Sequence, residues 1–267
     1  MDFANKVAVV TGAGNGIGRE TALCFAAAGA RLVLVDRDGA ANEQTLDLVR
    51  AAGGEGRAVT ADVRDSEQVR GYVKAAREAF GRIDCFFNNA GIEGMVAPLA
   101  DYDEATFDTV IGVNVKGVFL GLKHVLPVML EQGAGAVVNT ASVAGITGSP
   151  GLGAYVASKH AVIGLTKVAA GETAARGVRV NAVCPGPIDT RMIHEIERMV
   201  NPADPGRVSA GYQASIPNQR YGTAREVANV VLFLCSDLAS NVTGAQYVVD
   251  GGRTASPAAV TTSQSRA

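Results

Sequence analysis

Residues 7–18 read VAVVTGAGNGIG, a short apolar run that leads into a glycine-rich turn. The apolar run at 7–10 predicts a buried strand, and the amphipathic stretch at 17–28 predicts a helix directly after the turn. The backbone N–H groups of such a turn and the positive end of the helix converge on one point, which suits a phosphate group. Gly12, Gly16 and Gly18 have the spacing GxxxGxG, which departs from the usual GxGxxG. Their position after the first strand predicts a turn that binds a pyrophosphate.

The rest of the chain alternates between short apolar runs and longer amphipathic stretches. Further strands are predicted at 31–35, 58–61, 84–88, 136–140, 178–183 and 247–249. Helices are predicted at 40–52, 66–80, 103–130 (one long helix or a kinked pair), 154–176 and 224–235. Strands that are apolar on both faces and alternate with helices indicate a parallel sheet covered on both sides. The predicted fold is α/β, a doubly wound, Rossmann-like parallel sheet in a single domain at residues 1–255.

Residues 185–222 interrupt this regular alternation with five prolines. A short helical pattern within them is formed by apolar residues at Met192, Ile193, Ile196, Met199 and Val200. An insertion after a late strand lies over the carboxyl edge of the sheet, where ligands bind. We therefore predict a substrate lid at about 187–222, with a plain surface loop as the alternative. The small, polar residues at 256–267 predict a flexible C-terminal tail.

Composition narrows the class of protein. The 267 residues carry 24 Lys and Arg against 26 Asp and Glu, a net charge of −2, which disfavours a nucleic-acid binder. The four cysteines lack zinc-ligand spacing, so we expect reduced, mostly buried thiols and no metal site. The sequence shows no leader pattern and no apolar run near the ~20 residues of a membrane helix, so we expect a cytoplasmic protein without a membrane partner.

The histidines and one acidic pair have simple interpretations. His124 and His160 are interpreted as structural or surface residues on helices. His194 lies in the predicted lid, where contact with a substrate is a minor alternative. Glu195 and Glu197 are interpreted as solvated charges and not as a metal site.

An acidic residue follows the second predicted strand. Asp36 lies 18 residues after Gly18, close to the ~20 expected for an acid that binds the adenosine ribose. A carboxylate there accepts hydrogen bonds from the ribose hydroxyls and repels a 2′-phosphate, which favours NAD(H) over NADP(H). Arg37 weakens this preference, because an arginine at that position can pair with the phosphate. The alternative for Asp36 is a turn residue at a strand end.

Tyr155 and Lys159 are four residues apart on a predicted helix and therefore share one of its faces. We expect the lysine cation to stabilise the phenolate and to lower the tyrosine pKa from ~10 towards neutrality. Such a tyrosine can donate a proton to a carbonyl oxygen or accept one from an alcohol. Ser142 follows the fifth predicted strand and is expected to orient the reacting oxygen. Asn114 lies within a predicted helix, where asparagine is unfavourable, and is expected to hold a water that links the lysine to solvent.

Together, these motifs resemble the short-chain dehydrogenase/reductases over residues 6–252. The motifs are TGAGNGIG at 11–18, DV at 62–63, NNAG at 88–91, Asn114, Ser142, YxxxK at 155–159, PGPIDT at 185–190 and DGG at 250–252. The resemblance implies a catalytic tetrad of Asn114, Ser142, Tyr155 and Lys159, and a homotetramer. It also implies a site for NAD(H) formed by Gly12, Asn15, Gly16, Ile17, Gly18, Asp36, Arg37, Asp62, Val63, Asn89, Ala90, Gly91, Tyr155, Lys159, Pro185, Gly186, Ile188 and Thr190.

Within that family, the segments at 86–94, 137–146 and 220–222 are most similar to NADH-dependent reductases of cyclic ketones. The resemblance thus implies reversible hydride transfer between NAD(H) and a secondary alcohol or ketone. Apolar residues of the lid, with Met95, Val96, Val143 and Ile146, predict an apolar substrate pocket, and core packing is the alternative. The candidate substrate contacts are Glu93, Val143 and Met192, with a solvated surface acid as the alternative for Glu93.

Other functions stay open at this point. Within the family they are a 3-oxoacyl thioester reductase, a ring-diol dehydrogenase, and an epimerase or dehydratase that retains its NAD. A protein of another class, a non-catalytic redox sensor that binds NAD(H), would use the same fold. The complete tetrad argues against the sensor. Asp36 argues against the thioester reductase, which usually uses NADPH.

Overall fold

A computed structural model describes residues 1–255. It contains the strands β1 (Val7–Thr11), β2 (Arg31–Asp36), β3 (Gly56–Thr60), β4 (Cys85–Asn88), β5 (Gly135–Thr140), β6 (Val178–Pro185) and β7 (Gln246–Val249). They form one parallel sheet in the order β3-β2-β1-β4-β5-β6-β7. This order confirms the predicted doubly wound sheet, whose winding reverses between β1 and β4.

The connections between the strands are mainly helical. The α-helices of the described part are α1 (Gly16–Ala27), α2 (Gly39–Ala51), α3 (Ser66–Phe80), α4 (Glu104–Ile111), α5 (Gly117–Gln132), α6 (Gly153–Thr173), α7 (Arg191–Val200), α8 (Pro205–Ala214) and α9 (Ala224–Cys235). Every helix that the sequence predicts is present, with ends that differ by a few residues.

Alternate residues of the central strands face opposite sides of the sheet. On β2, Val33 and Val35 pack with residues of α3, α5 and α6. Their neighbours Leu32 and Leu34 pack with residues of α1, α2 and α9. All four side chains are fully buried, because helices cover both faces of a parallel sheet. These two apolar layers fix the carboxyl ends of the strands, where the glycine turn and Ser142 follow.

The long helix predicted at 103–130 contains an irregular turn. α4 and α5 are joined by a π-helical turn over Gly112–Lys116, which contains Asn114. Such turns are rare and occur often at functional sites.

The helical run Glu104–Gln132 is long and apolar enough to cross a membrane, with a mean hydropathy of 1.3 over 18 residues. Uninterrupted apolar runs in the sequence are shorter, so sequence analysis did not single out this segment. Of the 18-residue window, 56% is buried inside the fold. There the apolar residues of α5 pack against the sheet and α3, which is the setting of a core helix.

The predicted lid contains two helices, of which sequence analysis predicted only α7. The sequence of α8, PGRVSAGYQA, contains two glycines and too few apolar residues for a clear amphipathic pattern. Asp204 caps α8 by accepting a hydrogen bond from the Arg207 N–H at 3.0 Å. A small apolar cluster joins the two helices and consists of Ile193, Ile216, Tyr221 and the partly buried Tyr212. The tail predicted at 256–267 lies outside the described residues.

Candidate active site

A cleft with a volume of about 480 Å³ lies at the carboxyl edge of the sheet, between the glycine turn and α7. Ligands of doubly wound sheets bind at this edge, where the strand order reverses. The cleft brings together most of the residues that the sequence predicts for the site. These are Gly12, Asn15, Gly16, Ile17, Asp36, Arg37, Asp62, Val63, Asn89, Ala90, Gly91, Ser142, Val143, Tyr155, Lys159, Pro185, Gly186, Ile188, Thr190 and Met192.

The glycine turn is too closely packed to hold side chains. Gly12 and Gly16 have φ angles of +66° and +53°, in the left-handed region that favours glycine. A Cβ atom at Gly18 would lie 2.0 Å from the Gly12 carbonyl oxygen, so Gly18 packs α1 against the turn. The first turn of α1 contains no acidic residue, and Asn15 provides no side-chain cap. Its N–H groups therefore stay available to an anion, and a pyrophosphate fits this cradle.

Asp36 ends β2 beside the glycine turn. Its carboxylate accepts hydrogen bonds from the N–H groups of Gly14 (2.9 Å) and Asp38 (3.0 Å), which fix it at the cleft wall. A carboxylate has about four acceptor sites, so it can also accept hydrogen bonds from ribose hydroxyls. Arg37 is exposed beside it and also lines the cleft.

Asp62 and Val63 form the wall where the resemblance places the adenine. Arg64 Nε lies 3.0 Å and 2.9 Å from the two carboxylate oxygens of Asp62. This hydrogen-bonded ion pair holds the pKa of Asp62 below its usual range. The carboxylate is thus already paired, and Arg64, which sequence analysis did not single out, also faces the cleft.

Thr11 and Asn89 join the ends of three neighbouring strands. The Thr11 hydroxyl accepts hydrogen bonds from the N–H groups of Asn89 (2.9 Å) and Ala90 (3.1 Å). Asn89 Nδ2 donates to the Thr11 carbonyl at 3.0 Å, and Asn89 Oδ1 accepts from the Thr140 hydroxyl at 3.1 Å. This network makes the end of β1, the loop after β4 and the end of β5 one rigid floor.

Asn114 is fully buried in the π-helical turn and does not line the cleft. Its Oδ1 accepts from the Ile92 N–H at 2.9 Å, and its Nδ2 donates to the Ile92 carbonyl at 2.9 Å. Nδ2 also donates to the Ser158 hydroxyl at 3.0 Å. The amide therefore holds the loop after β4 in place and has used both its donor hydrogens. This leaves the side chain little capacity for the water that we expected it to hold.

Ser142 and Tyr155 lie together at the floor of the cleft. Ser142 Oγ accepts from the Ala144 N–H at 3.1 Å and donates to the Pro185 carbonyl at 3.4 Å. Burial raises the pKa of Tyr155 to about 12, while its interaction with the Ser142 hydroxyl lowers the pKa and the Glu93 carboxylate adds to the rise. Tyr155 is therefore a phenol at neutral pH, the form that donates a proton.

Lys159 lies next to Tyr155, as their spacing predicts. Its Nζ is 5.4 Å from the centre of the Tyr155 ring and donates to the Thr140 carbonyl at 2.8 Å. Burial lowers the pKa of Lys159 to about 8. Our expectation that this cation brings the tyrosine pKa towards neutrality is wrong for the protein alone, because the phenol's loss of hydration has the larger effect.

The segment at 185–190 carries the chain from β6 to the lid. A Cβ atom at Gly186 would lie 2.8 Å from Asp250 Cβ, so the DGG motif packs directly behind it. The Asp189 N–H donates to the Gly222 carbonyl at 2.8 Å, and the Gly222 N–H donates to the Pro187 carbonyl at 3.0 Å. These two hydrogen bonds fasten the beginning of the lid to its end.

A chain of polar contacts runs through the lid. Glu197 is only 4% exposed, so its interpretation as a solvated charge is wrong. It accepts hydrogen bonds from the Tyr221 hydroxyl (2.6 Å) and His194 Nδ1 (2.9 Å), and His194 Nε2 pairs with Asp189 at 2.9 Å. The hydrogen bond to Glu197 is the main cause of the raised pKa of His194. Two carboxylates need a donor on both ring nitrogens, which favours the imidazolium form.

The predicted site differs from the observed cleft at several residues. Gly18, Asn114 and Glu93 do not line the cleft. Met95, Val96 and Ile146, which were predicted to form its apolar pocket, do not line it either. Sequence analysis missed Asp38, Arg64, Leu152, Arg191, Tyr212 and Arg253, which line it. Arg191 was within reach of the sequence, because it directly follows the PGPIDT motif.

The side chains that could ligate a metal are dispersed through the fold. Among residues 1–255, no group of three or more His, Cys, Asp or Glu side chains is arranged to hold a metal ion. All four cysteines are free and buried, as predicted.

Comparison with known proteins identifies the family. A family model described as enoyl-(acyl carrier protein) reductase matches residues 12–254. Levodione reductase from Leifsonia aquatica is 46% identical over 255 residues, which cover 95% of this chain and 96% of the relative. The chain belongs to the short-chain dehydrogenase/reductase family.

Further short-chain dehydrogenase/reductases show the same likeness. Cyclohexanol dehydrogenase from Acinetobacter sp. strain SE19 is 43% identical over 94% of this chain and 96% of the relative. A crystal structure of levodione reductase superposes with a TM-score of 0.94 at 45% identity, covering 96% of this chain and 100% of that chain. The structure of NAD⁺-bound xylitol dehydrogenase gives a TM-score of 0.90 at 39% identity, covering 94% and 100%. The predicted family and fold are confirmed, and this short-chain dehydrogenase/reductase is an oxidoreductase.

Proposed function

We propose that the protein transfers a hydride reversibly between NAD(H) and a secondary alcohol or ketone, most readily an apolar cyclic ketone. The observation that carries the proposal is the position of Tyr155. It is a protonated phenol beside Ser142 and Lys159, in a cleft whose other end is the glycine turn. One relative is by name a dehydrogenase of cyclohexanol, a cyclic alcohol, and another a reductase of levodione.

The residues of the cleft fit a nicotinamide dinucleotide. The free N–H groups of α1 would bind the pyrophosphate, and Asp36 would bind the adenosine ribose. Lys159 and Tyr155 would bind the nicotinamide ribose, and residues 185–190 would lie along the nicotinamide. When bound, the nicotinamide supplies or accepts the hydride. We propose NAD(H) because the Asp36 carboxylate disfavours a 2′-phosphate, and the similar xylitol dehydrogenase structure holds NAD⁺.

In the proposed mechanism, Tyr155 moves the proton. During reduction its hydroxyl donates a proton to the substrate oxygen, which Ser142 Oγ holds by a hydrogen bond. During oxidation the tyrosine accepts the proton of the alcohol. The Lys159 cation stabilises the phenolate at that moment through Coulomb attraction, which is strong at a buried site.

An apolar ring suits the side chains around Tyr155. The apolar residues that line this end of the cleft are Val143, Leu152, Met192, Ile193 and Ile196. They would bury the hydrocarbon part of a substrate at ~0.8 kcal/mol per methylene group. A polar or charged substrate would lose hydration there without compensation.

A substrate panel tests the proposal. NADH consumption by the purified protein is measured with cyclic ketones, acyclic ketones, keto acids and acetoacetyl thioesters, and NADPH is run in parallel. We expect the highest kcat/KM for cyclic ketones with NADH. The 3-oxoacyl thioester reductase alternative predicts turnover of acetoacetyl thioesters instead. Binding of NADH without turnover of any substrate would favour the non-catalytic sensor.

Substituting Tyr155→Phe tests the proton donor. We expect kcat to fall by ~10²–10⁴-fold, the usual contribution of a general acid, while NADH still binds, with a Kd raised at most ~10-fold by the loss of one hydrogen bond to the nicotinamide ribose. Tyr247→Phe is the matched control, because its phenol lies on β7 outside the cleft. Normal reduction of ketones by Tyr155→Phe would remove this residue from the role.

A cytoplasmic homotetramer remains a prediction. Exposed apolar side chains on α4, α5 and α6 support assembly, since such residues are often covered by a partner subunit. They are Phe107 (38% exposed), Phe119 (46%) and Val168 (59%). Light scattering after size-exclusion chromatography is expected to give four times the 27.4 kDa mass of the chain.

A further inference from the structure

The loop after β4 holds a carboxylate that the proposed mechanism does not use. Glu93 is 8% exposed, lies behind the cleft wall and is near enough to raise the pKa of Tyr155. It is therefore neither a solvated surface acid nor part of the cleft lining. A carboxylate buried beside a proton donor needs a physical reason, because burial of a charge is unfavourable.

The backbone on both sides of Glu93 is fixed. The N–H and the carbonyl of Ile92 are both bound by the Asn114 amide. Gly94 has a φ of +77°, and a Cβ atom there would lie 2.6 Å from the Tyr102 hydroxyl. The loop therefore has little freedom to move the Glu93 side chain towards solvent.

The two carboxylate oxygens of Glu93 have different surroundings. Oε1 lies 3.6 Å from Arg191 Nη1, whereas Oε2 is buried without a hydrogen-bond partner among residues 1–255. The carboxylate thus depends on a single cation. Arg191 begins α7 and lines the cleft between Thr190 and Met192, which line it too. The ion pair therefore joins the fixed loop of the sheet to the lid helix.

We propose that Glu93 is a positioning residue, whose ion pair with Arg191 holds the lid helix against the cleft and whose charge adjusts the proton donor Tyr155. This inference rests on the proposed function, because it assigns the proton transfer to Tyr155. Direct contact between Glu93 and a substrate is the weaker alternative, since its free oxygen is not exposed to the cleft.

The Glu93 charge acts on Tyr155, and the Arg191 cation pairs with that charge. The other groups that face it are Ser142 and Lys159, and the Cys184 thiol of β6 faces Lys159. Removing the Glu93 carboxylate favours the phenolate and lowers the pKa of Tyr155. Removing the Arg191 cation leaves that carboxylate without its counter-charge, so we expect the pKa of Tyr155 to rise.

The test uses Glu93→Gln, Arg191→Met and the double variant in the full chain. The pH profile of kcat/KM for alcohol oxidation is measured, together with NADH dissociation by stopped-flow fluorescence. We expect Glu93→Gln to move the profile to lower pH and Arg191→Met to move it to higher pH, each by about 0.5 pH unit for one partly screened charge. Each single variant is expected to release NADH about fivefold faster, and the double variant no faster than either, because both break one ion pair.

Two results would overturn the inference. Identical pH profiles for wild type and both single variants would show that the pair does not act on Tyr155. If Arg191→Met accelerates NADH release further in the Glu93→Gln background, Arg191 acts independently of Glu93. If Glu93→Gln does not fold, Arg191→Met alone carries the test of the pH profile, and Arg191→Lys, which keeps the charge, is its control and is expected to retain the wild-type profile. A wild-type protein without turnover would contradict the proposed function instead, and NADH release would still test the ion pair.

Discussion

The two ends of the cleft are built in different ways. At the glycine turn, backbone atoms pack directly against backbone atoms, as where Gly18 packs on the Gly12 carbonyl. At the lid, long side chains make the contacts, as between Arg191 and Glu93 or Tyr221 and Glu197. A backbone contact has one geometry that an added side chain breaks, whereas side-chain contacts can be weakened one at a time. We therefore expect the glycine turn to be the fixed half of the site and the lid to be the adjustable half.

The largest expected effect is in the fixed half. In Gly18→Ala the new Cβ atom would lie 2.0 Å from the Gly12 carbonyl oxygen, so the turn must distort. We expect the free energy of unfolding to fall by about 3 kcal/mol and NADH binding to be lost. The measurement is urea unfolding with NADH titration. Gly71→Ala is the control, because no atom lies within 4 Å of a Cβ there and alanine should stabilise α3 by ~0.5–1 kcal/mol. Equal stability of the two variants would contradict the comparison.

The second-largest effect is expected for a side chain of the fixed half, Asp36. Asp36→Ala removes acceptors for the ribose hydroxyls and the repulsion of a 2′-phosphate. We expect the preference for NADH over NADPH to fall by ~10–100-fold, which corresponds to the loss of one charged hydrogen-bonding group. The ratio of kcat/KM values for the two cofactors measures this. Asp47→Ala, an exposed acid on α2, should keep the wild-type ratio, and the same ratio in Asp36→Ala would remove Asp36 from this role.

A smaller effect is expected in the adjustable half. Tyr221→Phe removes the hydroxyl that donates to the buried Glu197 at 2.6 Å. We expect the lid to open more easily by about 1–2 kcal/mol, because a buried acceptor loses a partner. Hydrogen exchange of peptides from residues 191–214 would rise while that of β1 stays unchanged. Tyr212→Phe is the control in the same cluster, and equal exchange in both variants would argue against the polar chain.

The smallest effect depends on pH. The carboxylates of Glu197 and Asp189 raise the pKa of His194 in the folded lid. Its contribution to lid stability is therefore complete below the ordinary pKa of ~6.5 and is lost as the pH rises through the higher, folded value. Exchange of the lid peptides, corrected for the intrinsic rate, should increase over that range in the wild type. The increase should be absent in His194→Gln and present in the exposed control His160→Gln. A pH dependence that persists in His194→Gln would exclude this histidine as its source.

The same contrast explains what sequence could predict. Strands such as β1 and β2 are apolar runs buried on both faces, so their pattern is local and readable. The helical spacing of Tyr155 and Lys159 is local too, and the structure places them side by side. The role of the glycine turn could be predicted because the turn lies between the first strand and the first helix.

Features that depend on distant residues could not be predicted. The pKa of Tyr155 is determined by burial, which no spacing in the sequence reveals. Glu93 and Glu197 are acidic residues, which are usually solvated, and only the fold brings Arg191 and Tyr221 to them. The second lid helix, α8, was missed because its own sequence lacks an amphipathic pattern and its packing comes from the rest of the lid.

The stretch Gly112–Lys116 forms a π-helical turn. The site therefore depends on the number of residues in this stretch as well as on their types. An α-helix rotates by about 100° per residue, so loss of one residue from this turn would restore a regular helix and change the direction of Asn114. Its bonds to Ile92 and Ser158 would then break while the apolar face of α5 stayed in place. Over evolution, this five-residue stretch is expected to accept changes of side chain more readily than changes of length.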